Sequence, residues 1–334
     1  MFADPTVPLQ HYRVTKFFKK LNTLRKEHEV DGIIDAGDTT DDRSSLPIPT
    51  IDAVIEGISK FKGMENFKVV GNHEQFMKNS KVHVGRLFES VFNVYAEPAA
   101  HEVDERMAFV FAPFPPPGQE SEFAQKVKDL IAKARGTGRE VILIGHFSVL
   151  GSEVCGGKLA KGLDASIFEG VTIGLLGDIH RPQKISVKPP VWYVGSPFQQ
   201  DFGEAGERKR VALLDTEKRS VVWLETEGFP EYRQGSWKEF STNAREDSED
   251  RWKVVLTSTE ETEAFYAHPL SHRAEPEYAY EEASASPGKS TERSVWSLQA
   301  SLKRYAERVS PASKGIEIDV NELVSFGENL ATHS

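Results

Sequence analysis

The chain has 334 residues, of which 39% are hydrophobic and 28% charged, so it is long and apolar enough for two domains with buried cores, and global disorder is excluded. Its formal net charge of -10 argues against a protein that holds nucleic acid by bulk positive charge, although a local site for DNA or a phosphate ester stays open. The single cysteine, Cys155, excludes an internal disulfide framework, and no apolar run approaches the roughly 20 residues that span a bilayer. We therefore predict a cytoplasmic globular protein.

Helical and strand patterns alternate through the first half of the chain. Apolar residues at helical spacing predict helices over residues 10–29, 49–61 and 122–134. Short apolar runs predict strands over residues 32–36, 67–70, 107–111, 141–144 and 172–176. Further strands are predicted over residues 191–194, 211–214 and 221–224, with no helix between them. This succession indicates a layered α/β domain whose later strands pair antiparallel.

The composition changes near Phe229. Residues 231–334 contain 19 acidic and 12 basic side chains, a net charge of -7, which leaves -3 for the first 230 residues. We predict a domain at residues 1–228 and a second region, a small α/β capping and partner-binding region, at residues 229–334. Within that region the sequence predicts a polar linker or exposed loop over 241–250, a strand over 252–256, a mobile segment over 275–292, and helices over 295–308 and 317–330.

Glycine followed by a metal-capable side chain ends four of the predicted strands. These endings are Gly37-Asp38, Gly71-Asn72-His73, Gly145-His146 and Gly177-Asp178-Ile179-His180, and Asp4 is a fifth candidate near the start of the chain. The carboxyl ends of strands are where open α/β sheets bind ligands. Asp, Asn and His ligands without a thiolate suit Mn²⁺, Mg²⁺ or Fe²⁺. Two such ions together can bind a phosphate and activate the water that attacks it.

Each piece alone has a simpler interpretation. A Gly-Asp pair after a strand is usually a turn, and a lone His146 or His180 is more often a hydrogen-bonded structural residue. The arginines and lysines near the predicted site, Arg181, Lys184, Arg208, Lys209 and Arg210, are equally well read as a solvated surface or as contacts to a DNA backbone. What favours a metal site is the joint occurrence of the strand-end motifs in this order.

In this order the motifs resemble those of the calcineurin-like metallophosphoesterase superfamily. The matching stretches are Gly37-Asp38-Thr39-Thr40-Asp41, Gly71-Asn72-His73-Glu74, Gly145-His146 and Gly177-Asp178-Ile179-His180. Within that superfamily, residues 176–183 (LGDIHRPQ), 193–197 (YVGSP) and 201–204 (DFGE) most resemble the SbcD-type DNA exonuclease subunit, including its phage relatives. The resemblance covers about residues 4–225.

The resemblance implies a fold and a function. The fold would be a four-layer sandwich, in which two mixed β-sheets pack face to face with helices outside. The function would be a metal-dependent DNA exo/endonuclease subunit, hydrolysing phosphodiester bonds through a metal-bound hydroxide in DNA end processing, repair or recombination. An SbcC-type ATPase would be its partner and a homodimer its assembly, with no membrane contact, in a bacterial cytoplasm or a phage-infected host.

The resemblance also implies a role for individual residues. Two divalent ions, most typically Mn²⁺, would be bridged by Asp38. One ion would be completed by Asp4 and His180, and the other by Asn72, His146 and Asp178. His73 would contact the scissile phosphate or protonate the leaving oxygen. Asp41 and Glu74 would orient the ligands, and Arg181 and Lys184 would contact the DNA backbone.

Two positions depart from the family pattern. The first motif usually has Asp-X-His, but here it is Asp4-Pro5-Thr6, and Asp178 stands where the last motif usually has a histidine. These departures support an alternative, a degenerate nuclease that binds DNA ends or a partner with weak or no catalysis. A phosphodiesterase of small nucleotides is a second alternative.

Overall fold

The structure is a computed structural model that describes residues 9–40, 45–77, 80–154, 157–185 and 188–279. By its internal contacts the chain divides into Met1–Ala279 and Tyr280–Ser334, and all described residues belong to the first unit. Asp4, Thr6, Asp41 and the helices predicted over 295–308 and 317–330 lie outside the described residues. The predicted domain boundary at residue 228 stays a prediction.

The described residues contain five α-helices. They are α1 (Leu9–Glu27), α2 (Ile48–Ser59), α3 (Glu120–Gly136), α4 (Trp237–Asn243) and α5 (Thr259–Ala267). The three helices predicted from apolar spacing correspond to α1, α2 and α3. None of the described helices is long and apolar enough to cross a membrane.

Sixteen β-strands lie in the same part of the chain. The first eight are β1 (Ile34–Asp35), β2 (Phe67–Val69), β3 (Asn93–Tyr95), β4 (Ala99–Glu102), β5 (Met107–Ala112), β6 (Glu140–His146), β7 (Glu153–Val154) and β8 (Lys158–Leu159). The others are β9 (Ile173–Gly177), β10 (Gln183–Ile185), β11 (Val191–Tyr193), β12 (Arg210–Asp215), β13 (Ser220–Glu225), β14 (Tyr232–Ser236), β15 (Arg251–Leu256) and β16 (Ala274–Tyr278). Every strand predicted from the sequence overlaps one of these.

Two sheets form the centre of the described chain. The first has the order β1-β2-β3, and all its strands are parallel. The second has the order β10-β11-β9-β6-β5-β4, in which the two edge strands are antiparallel to their neighbours and the rest are parallel. This differs from the expected two mixed sheets, because α2 carries the chain from β1 to β2 as a crossover and so makes that pair parallel.

Three clusters of buried side chains show how these elements pack. Helices α1 and α2 cover the first sheet through a cluster that includes Phe18 and Val54. A second cluster lies between the two sheets and includes Phe67 of β2 and Ile142 of β6. A third joins the second sheet to α3. The packing order is therefore helices, first sheet, second sheet, helix, with the antiparallel pair β12-β13 also packed against the cluster between the sheets.

Helix α3 illustrates why the sequence gives these elements. Its buried residues, Phe123, Val127, Ile131 and Ala134, recur every three or four positions and so form one face. Acidic residues occupy its first turn and basic residues its last, which complements the helix dipole.

Residues beyond Phe229 form a separate small sheet with order β14-β15-β16, all parallel and connected through α4 and α5. A cluster of buried side chains centred on Phe240 and Phe265 holds it together. Two predicted segments are shorter than expected: α4 takes in residues 241–243 of the predicted linker or exposed loop, and β16 takes in residues 275–278 of the segment predicted to be mobile. Residues 280–292 of that segment lie outside the described residues. Helix α4 is short and depends on a capping box between Ser236 and Glu239. The charged residues of β16 hide its pairing with β15 from a hydropathy pattern.

Candidate functional site

Three of the predicted metal ligands meet where strands of the two packed sheets end. Asp38 follows β1, Asn72 follows β2, and His146 is the last residue of β6. His146 Nε2 lies 3.1 Å from Asp38 Oδ2 and 3.1 Å from Asn72 Oδ1. His146 is 1% exposed, whereas the Asp38 side chain is 18% exposed, so the group opens to solvent on the carboxylate side.

The backbone is unusual at both strand-end aspartates. Asp38 has φ 57° and Asp178 has φ 82°, in the left-handed region that side chains other than glycine seldom adopt. Space is tight as well: a Cβ placed on Gly71 would lie 2.1 Å from Asp38 Oδ1. Backbone conformations of this kind cluster at functional sites, where surrounding contacts maintain them.

The imidazole of His146 is oriented by the backbone. Its Nδ1 lies 2.6 Å from the carbonyl oxygen of Ala36, which can only accept, so Nδ1 carries the proton. Burial disfavours the charged ring, but the hydrogen bond and charge of Asp38, together with Asp178, outweigh it and raise the pKa of His146 to about 9. Burial likewise opposes ionisation of Asp38, yet the contact with His146 holds the pKa of that carboxyl below its usual value. Nε2 is therefore the ring nitrogen that faces Asp38 Oδ2 and Asn72 Oδ1.

Asp178 approaches the same group from the end of β9. Its Oδ1 lies 3.9 Å from His146 Nε2, and its Oδ2 accepts a hydrogen bond from Ser148 Oγ at 2.5 Å. The hydroxyl of Ser148 therefore fixes which carboxylate oxygen points toward His146.

The spacing of these donors suits a divalent cation. Adjacent oxygen or nitrogen ligands at about 2.1 Å from an octahedral ion lie about 3.0 Å apart. The two 3.1 Å distances from His146 Nε2 are hydrogen-bond distances, and they are also close to that spacing. Counting only His, Cys, Asp and Glu, no group of three in the described chain could hold a metal ion. The third close donor is instead the neutral amide oxygen of Asn72, and the donor set as a whole fits a hard-to-borderline ion.

A buried lysine lies behind the Asp38 and Asn72 loops. The Lys68 side chain is 0% exposed, and its Nζ lies 2.7 Å from Asp35 Oδ2, 2.7 Å from Glu74 Oε1 and 2.9 Å from Thr39 Oγ1. Burial disfavours the charged amine, but the two carboxylates outweigh it and raise the pKa of Lys68. We call Asp35, Lys68 and Glu74 the Lys68 network.

Glu74 connects that network to both loops. Its Oε1 accepts the backbone N–H of Thr39 at 3.1 Å, and its Oε2 accepts the backbone N–H of Gly71 at 3.0 Å. Thr39 follows Asp38 and Gly71 precedes Asn72, so Glu74 holds the loops that carry these two residues in a fixed position relative to each other. Glu74 was predicted to orient the ligands, and the geometry shows it acting on the backbone of two loops.

His180 is held by a second network. Its Nδ1 lies 2.6 Å from Glu204 Oε1, and its side chain is 54% exposed. Glu204 Oε2 lies 2.8 Å from Lys209 Nζ, and Lys209 also lies 2.8 Å from Glu207 Oε2. We call Glu204, Lys209 and Glu207 the Lys209 network. The hydrogen bond to Glu204 raises the pKa of His180, with burial acting in the opposite direction, and leaves Nε2 as the atom that can bind a ligand.

The other predicted site residues are placed as follows. His73 is half-buried beside the group, and its backbone N–H donates to Asp38 Oδ1 at 2.8 Å. Arg181 forms ion pairs with Glu153 and Glu207, so its charge is compensated. Lys184 lies over the ring of Trp192, 5.7 Å from its centroid. Lys209 is buried within its own network, so the interpretation of this residue as a DNA contact is wrong.

Sequence reasoning missed Lys68, Ser148 and the role of Glu204. Lys68 did carry a signal, because it interrupts the apolar run Phe67-Lys68-Val69-Val70, and a lysine inside a buried strand requires carboxylate partners. Ser148 and Glu204 gave none, since their partners are 30 and 24 residues away along the chain.

Comparisons with known proteins add little to this geometry. No protein-family model matches the chain, and no curated protein matches it. Among solved structures, GAP50, the anchor in the inner membrane complex of Plasmodium, is 13% identical with a TM-score of 0.38, over 63% of this chain and 73% of that one. A dimetal phosphatase from Danio rerio is 11% identical with a TM-score of 0.37, over 53% of this chain and 76% of that one. Likenesses this distant carry no argument, so the site must be judged by its own geometry.

Proposed function

We propose that this protein is a metal-dependent phosphodiesterase that cleaves DNA, of the SbcD kind that its motifs resemble. The observation that carries the proposal is the meeting of Asp38, Asn72 and His146 at adjoining strand ends, with His146 Nε2 facing both oxygens at 3.1 Å. The packing order of helices, sheet, sheet and helix supports the metallophosphoesterase sandwich as its fold.

The proposed ligands divide into two groups around Asp38. Asn72, His146 and Asp178 would hold one ion with it, and His180 and Asp4 the other. When bound, such ions polarise a phosphoryl oxygen and lower the pKa of water. His73, anchored to Asp38 through its backbone N–H, would give a proton to the leaving oxygen. Lys184 forms no ion pair within the described residues and would contact the backbone of the DNA.

Hydrolysis of two substrates with Mn²⁺ tests the proposal. The parent should cleave end-labelled duplex DNA and bis-p-nitrophenyl phosphate. Asp38→Asn should abolish both activities, and His73→Ala should lower kcat by about 10²–10⁴-fold. Asp215→Asn, a half-buried carboxylate of β12 that pairs with Lys218, is the matched control and should change neither activity. No cleavage at millimolar Mn²⁺, or full activity of His73→Ala, would contradict the proposal.

A degenerate nuclease is the second candidate. The observation that favours it is that, within the described residues, no three His, Cys, Asp or Glu side chains could hold a metal ion. That candidate predicts DNA binding by the parent with no metal-dependent cleavage. Cleavage of bis-p-nitrophenyl phosphate and small nucleotides, but not of duplex DNA, would instead indicate a small-nucleotide phosphodiesterase.

The proposed partners are an SbcC-type ATPase and a second copy of this chain. The acidic balance supports a role for partners and metals in DNA affinity, since even the first 230 residues carry a net charge of -3. Light scattering of the isolated protein tests the homodimer: a monomer mass at micromolar concentration would contradict it.

A further inference from the structure

Residues 193–197 carry one of the sequence motifs but are not among the predicted ligands. Tyr193 is the last residue of β11, and that strand pairs in parallel with β9, which ends at Gly177. The register places Tyr193 opposite Leu176. The motif therefore begins beside the strand end that is followed by Asp178.

The side chain of Tyr193 is fully buried and reaches the loop after His146. Its hydroxyl accepts the backbone N–H of Val149 at 2.7 Å and donates to the carbonyl oxygen of Phe147 at 3.2 Å. Burial raises the pKa of Tyr193 to about 12, so the phenol keeps the proton that it donates. The hydroxyl therefore holds the backbone on both sides of Ser148.

Ser148 passes this constraint on to a predicted ligand. Its Oγ donates to Asp178 Oδ2 at 2.5 Å, and Asp178 Oδ1 lies 3.9 Å from His146 Nε2. An unbroken series of hydrogen bonds and covalent bonds thus joins the phenol of Tyr193 to the carboxylate of Asp178. The carboxylate keeps its orientation only while the backbone around Ser148 keeps its own.

The other end of the same motif reaches His180. The N–H of Ser196 donates to the carbonyl oxygen of His180 at 3.0 Å, and Ser196 Oγ donates to Glu204 Oε2 at 3.2 Å. The chain turns at Gly195, whose φ is 79°, and a Cβ there would lie 2.8 Å from that carbonyl oxygen. The close approach therefore requires glycine. Residues 193–196 contact the surroundings of both predicted histidine ligands.

We infer that Tyr193 is a positioning residue of the candidate metal site, which acts through Ser148 to direct the carboxylate of Asp178 toward His146. Ser196 has the corresponding part for His180, through Glu204. Removal of a group that orients a metal ligand commonly weakens metal binding by about 10–100-fold. The inference rests on the proposed function in one respect, since it needs the divalent ion, but it needs neither DNA nor cleavage.

The alternative is that Tyr193 serves the packing of the interior alone. It belongs to the cluster of buried side chains that joins the second sheet to α3. Loss of its hydroxyl would therefore lower stability under either interpretation. The two roles differ in another quantity, which is whether the effect of Tyr193 on metal affinity depends on Ser148.

Calorimetric titration with Mn²⁺, without substrate, measures that dependence in a double-mutant cycle. Tyr193→Phe keeps the ring and should raise the Kd for Mn²⁺ about tenfold. Because Tyr193 acts through Ser148, the double variant Tyr193→Phe/Ser148→Ala should bind about as weakly as Ser148→Ala alone. Ser196→Ala affects the other predicted histidine, so it should weaken Mn²⁺ binding by Ser148→Ala further.

Tyr95→Phe is the matched control. The hydroxyl of Tyr95 also has a side-chain partner, His101 Nδ1 at 3.3 Å, but Tyr95 lies on β3 of the first sheet. This variant should bind Mn²⁺ like the parent.

Hydrogen exchange over residues 147–149, measured by mass spectrometry, needs no variant. If the hydrogen bonds of Tyr193 favour metal binding, the bound ion must favour those hydrogen bonds equally. Mn²⁺ should therefore slow exchange over 147–149 in the parent. If Tyr193→Phe does not fold, this measurement decides.

Three results would overturn the inference. They are an unchanged Kd in Tyr193→Phe, a loss of affinity that adds fully to that of Ser148→Ala, and exchange over 147–149 in the parent that Mn²⁺ does not slow. Weaker Mn²⁺ binding by Tyr193→Phe in a protein that cleaves no DNA would support the inference without the proposed function. Cleavage of DNA by the parent with an unchanged Kd in Tyr193→Phe would do the reverse, and a parent that binds no Mn²⁺ would contradict both.

Discussion

The two histidines of the candidate site are held in different ways. His146 is buried and receives its orientation from a backbone carbonyl, while the Lys68 network behind it acts on the loops that carry Asp38 and Asn72. His180 is half-exposed and receives its orientation from Glu204, a carboxylate of the Lys209 network. The predicted ligand His146 is therefore fixed by the backbone, and the predicted ligand His180 by a side chain.

This difference has a physical consequence. Lys68 neutralises Glu74, whose side chain is 0% exposed, and Asp35, whose side chain is 20% exposed. Glu204 has a second ion-pair partner in His180, besides hydrogen bonds from Ser196 and the backbone N–H of Gln200, so its charge does not depend on Lys209 alone. The His146 half should be the more sensitive to loss of its lysine.

The largest expected effect separates the two lysines. Lys68→Met leaves Glu74 and Asp35 without their cation, and we expect the free energy of unfolding to fall by about 3–5 kcal/mol. Lys209→Met should cost about 2 kcal/mol, because Glu204 keeps its ion pair with His180. Urea denaturation measures both. The double variant Lys68→Met/Glu74→Gln should recover part of the lost stability. Equal losses of stability for Lys68→Met and Lys209→Met would contradict the expected difference between the two networks.

The second expected effect is a pH dependence of the free energy of unfolding that comes from Glu204, the partner of His180. Burial opposes ionisation of Glu204, but His180 and Lys209 outweigh it and lower its pKa to about 2. Because this folded-state value lies below the ordinary 4.5, the carboxylate stabilises the protein above pH 4.5, and that contribution is lost as the pH falls toward 2. The contribution is about 3 kcal/mol.

Denaturation at pH 7 and pH 3 checks this expectation. Glu204→Gln should be less stable than the parent at pH 7 and should lose less stability on acidification. Glu207→Gln is the control, since Glu207 contacts the same lysine but is 21% exposed and does not touch His180. An acid dependence in Glu204→Gln as steep as that of the parent would show that another carboxylate dominates.

The smallest expected effect concerns Ser148. Its hydroxyl orients Asp178, so Ser148→Ala should weaken Mn²⁺ binding by about tenfold with little loss of stability. Ser148→Thr keeps the hydroxyl and should bind Mn²⁺ like the parent. Calorimetric titration measures the affinity, and unchanged binding by Ser148→Ala would remove Asp178 from the ligand set.

The strand-end ligands were accessible from the sequence because a glycine after an apolar strand is a local pattern. Asp38, Asn72 and His146 each follow one, and parallel pairing brings the ends of β1 and β2 together. His146 reaches them through the packing of the two sheets, which the sequence pattern does not give. Glu74 was proposed as an orienting group from its motif, but Glu204 was not accessible, because it reaches His180 through the tertiary fold. Helix α4 and strand β16 were missed for a related reason: one depends on a cap and the other on pairing with β15, rather than on hydropathy.

The central claim is that Asp38, Asn72 and His146 together bind a divalent ion, and titration with Mn²⁺ as a function of pH tests it most directly. In the metal-free protein the pKa of His146 is raised to about 9, so the ion must displace a proton from Nε2. We predict binding that tightens as the pH rises from 7 toward 9, with proton release, and loss of both features in His146→Ala. Absence of Mn²⁺ binding in the parent, or equal and pH-independent binding in His146→Ala, would contradict the account.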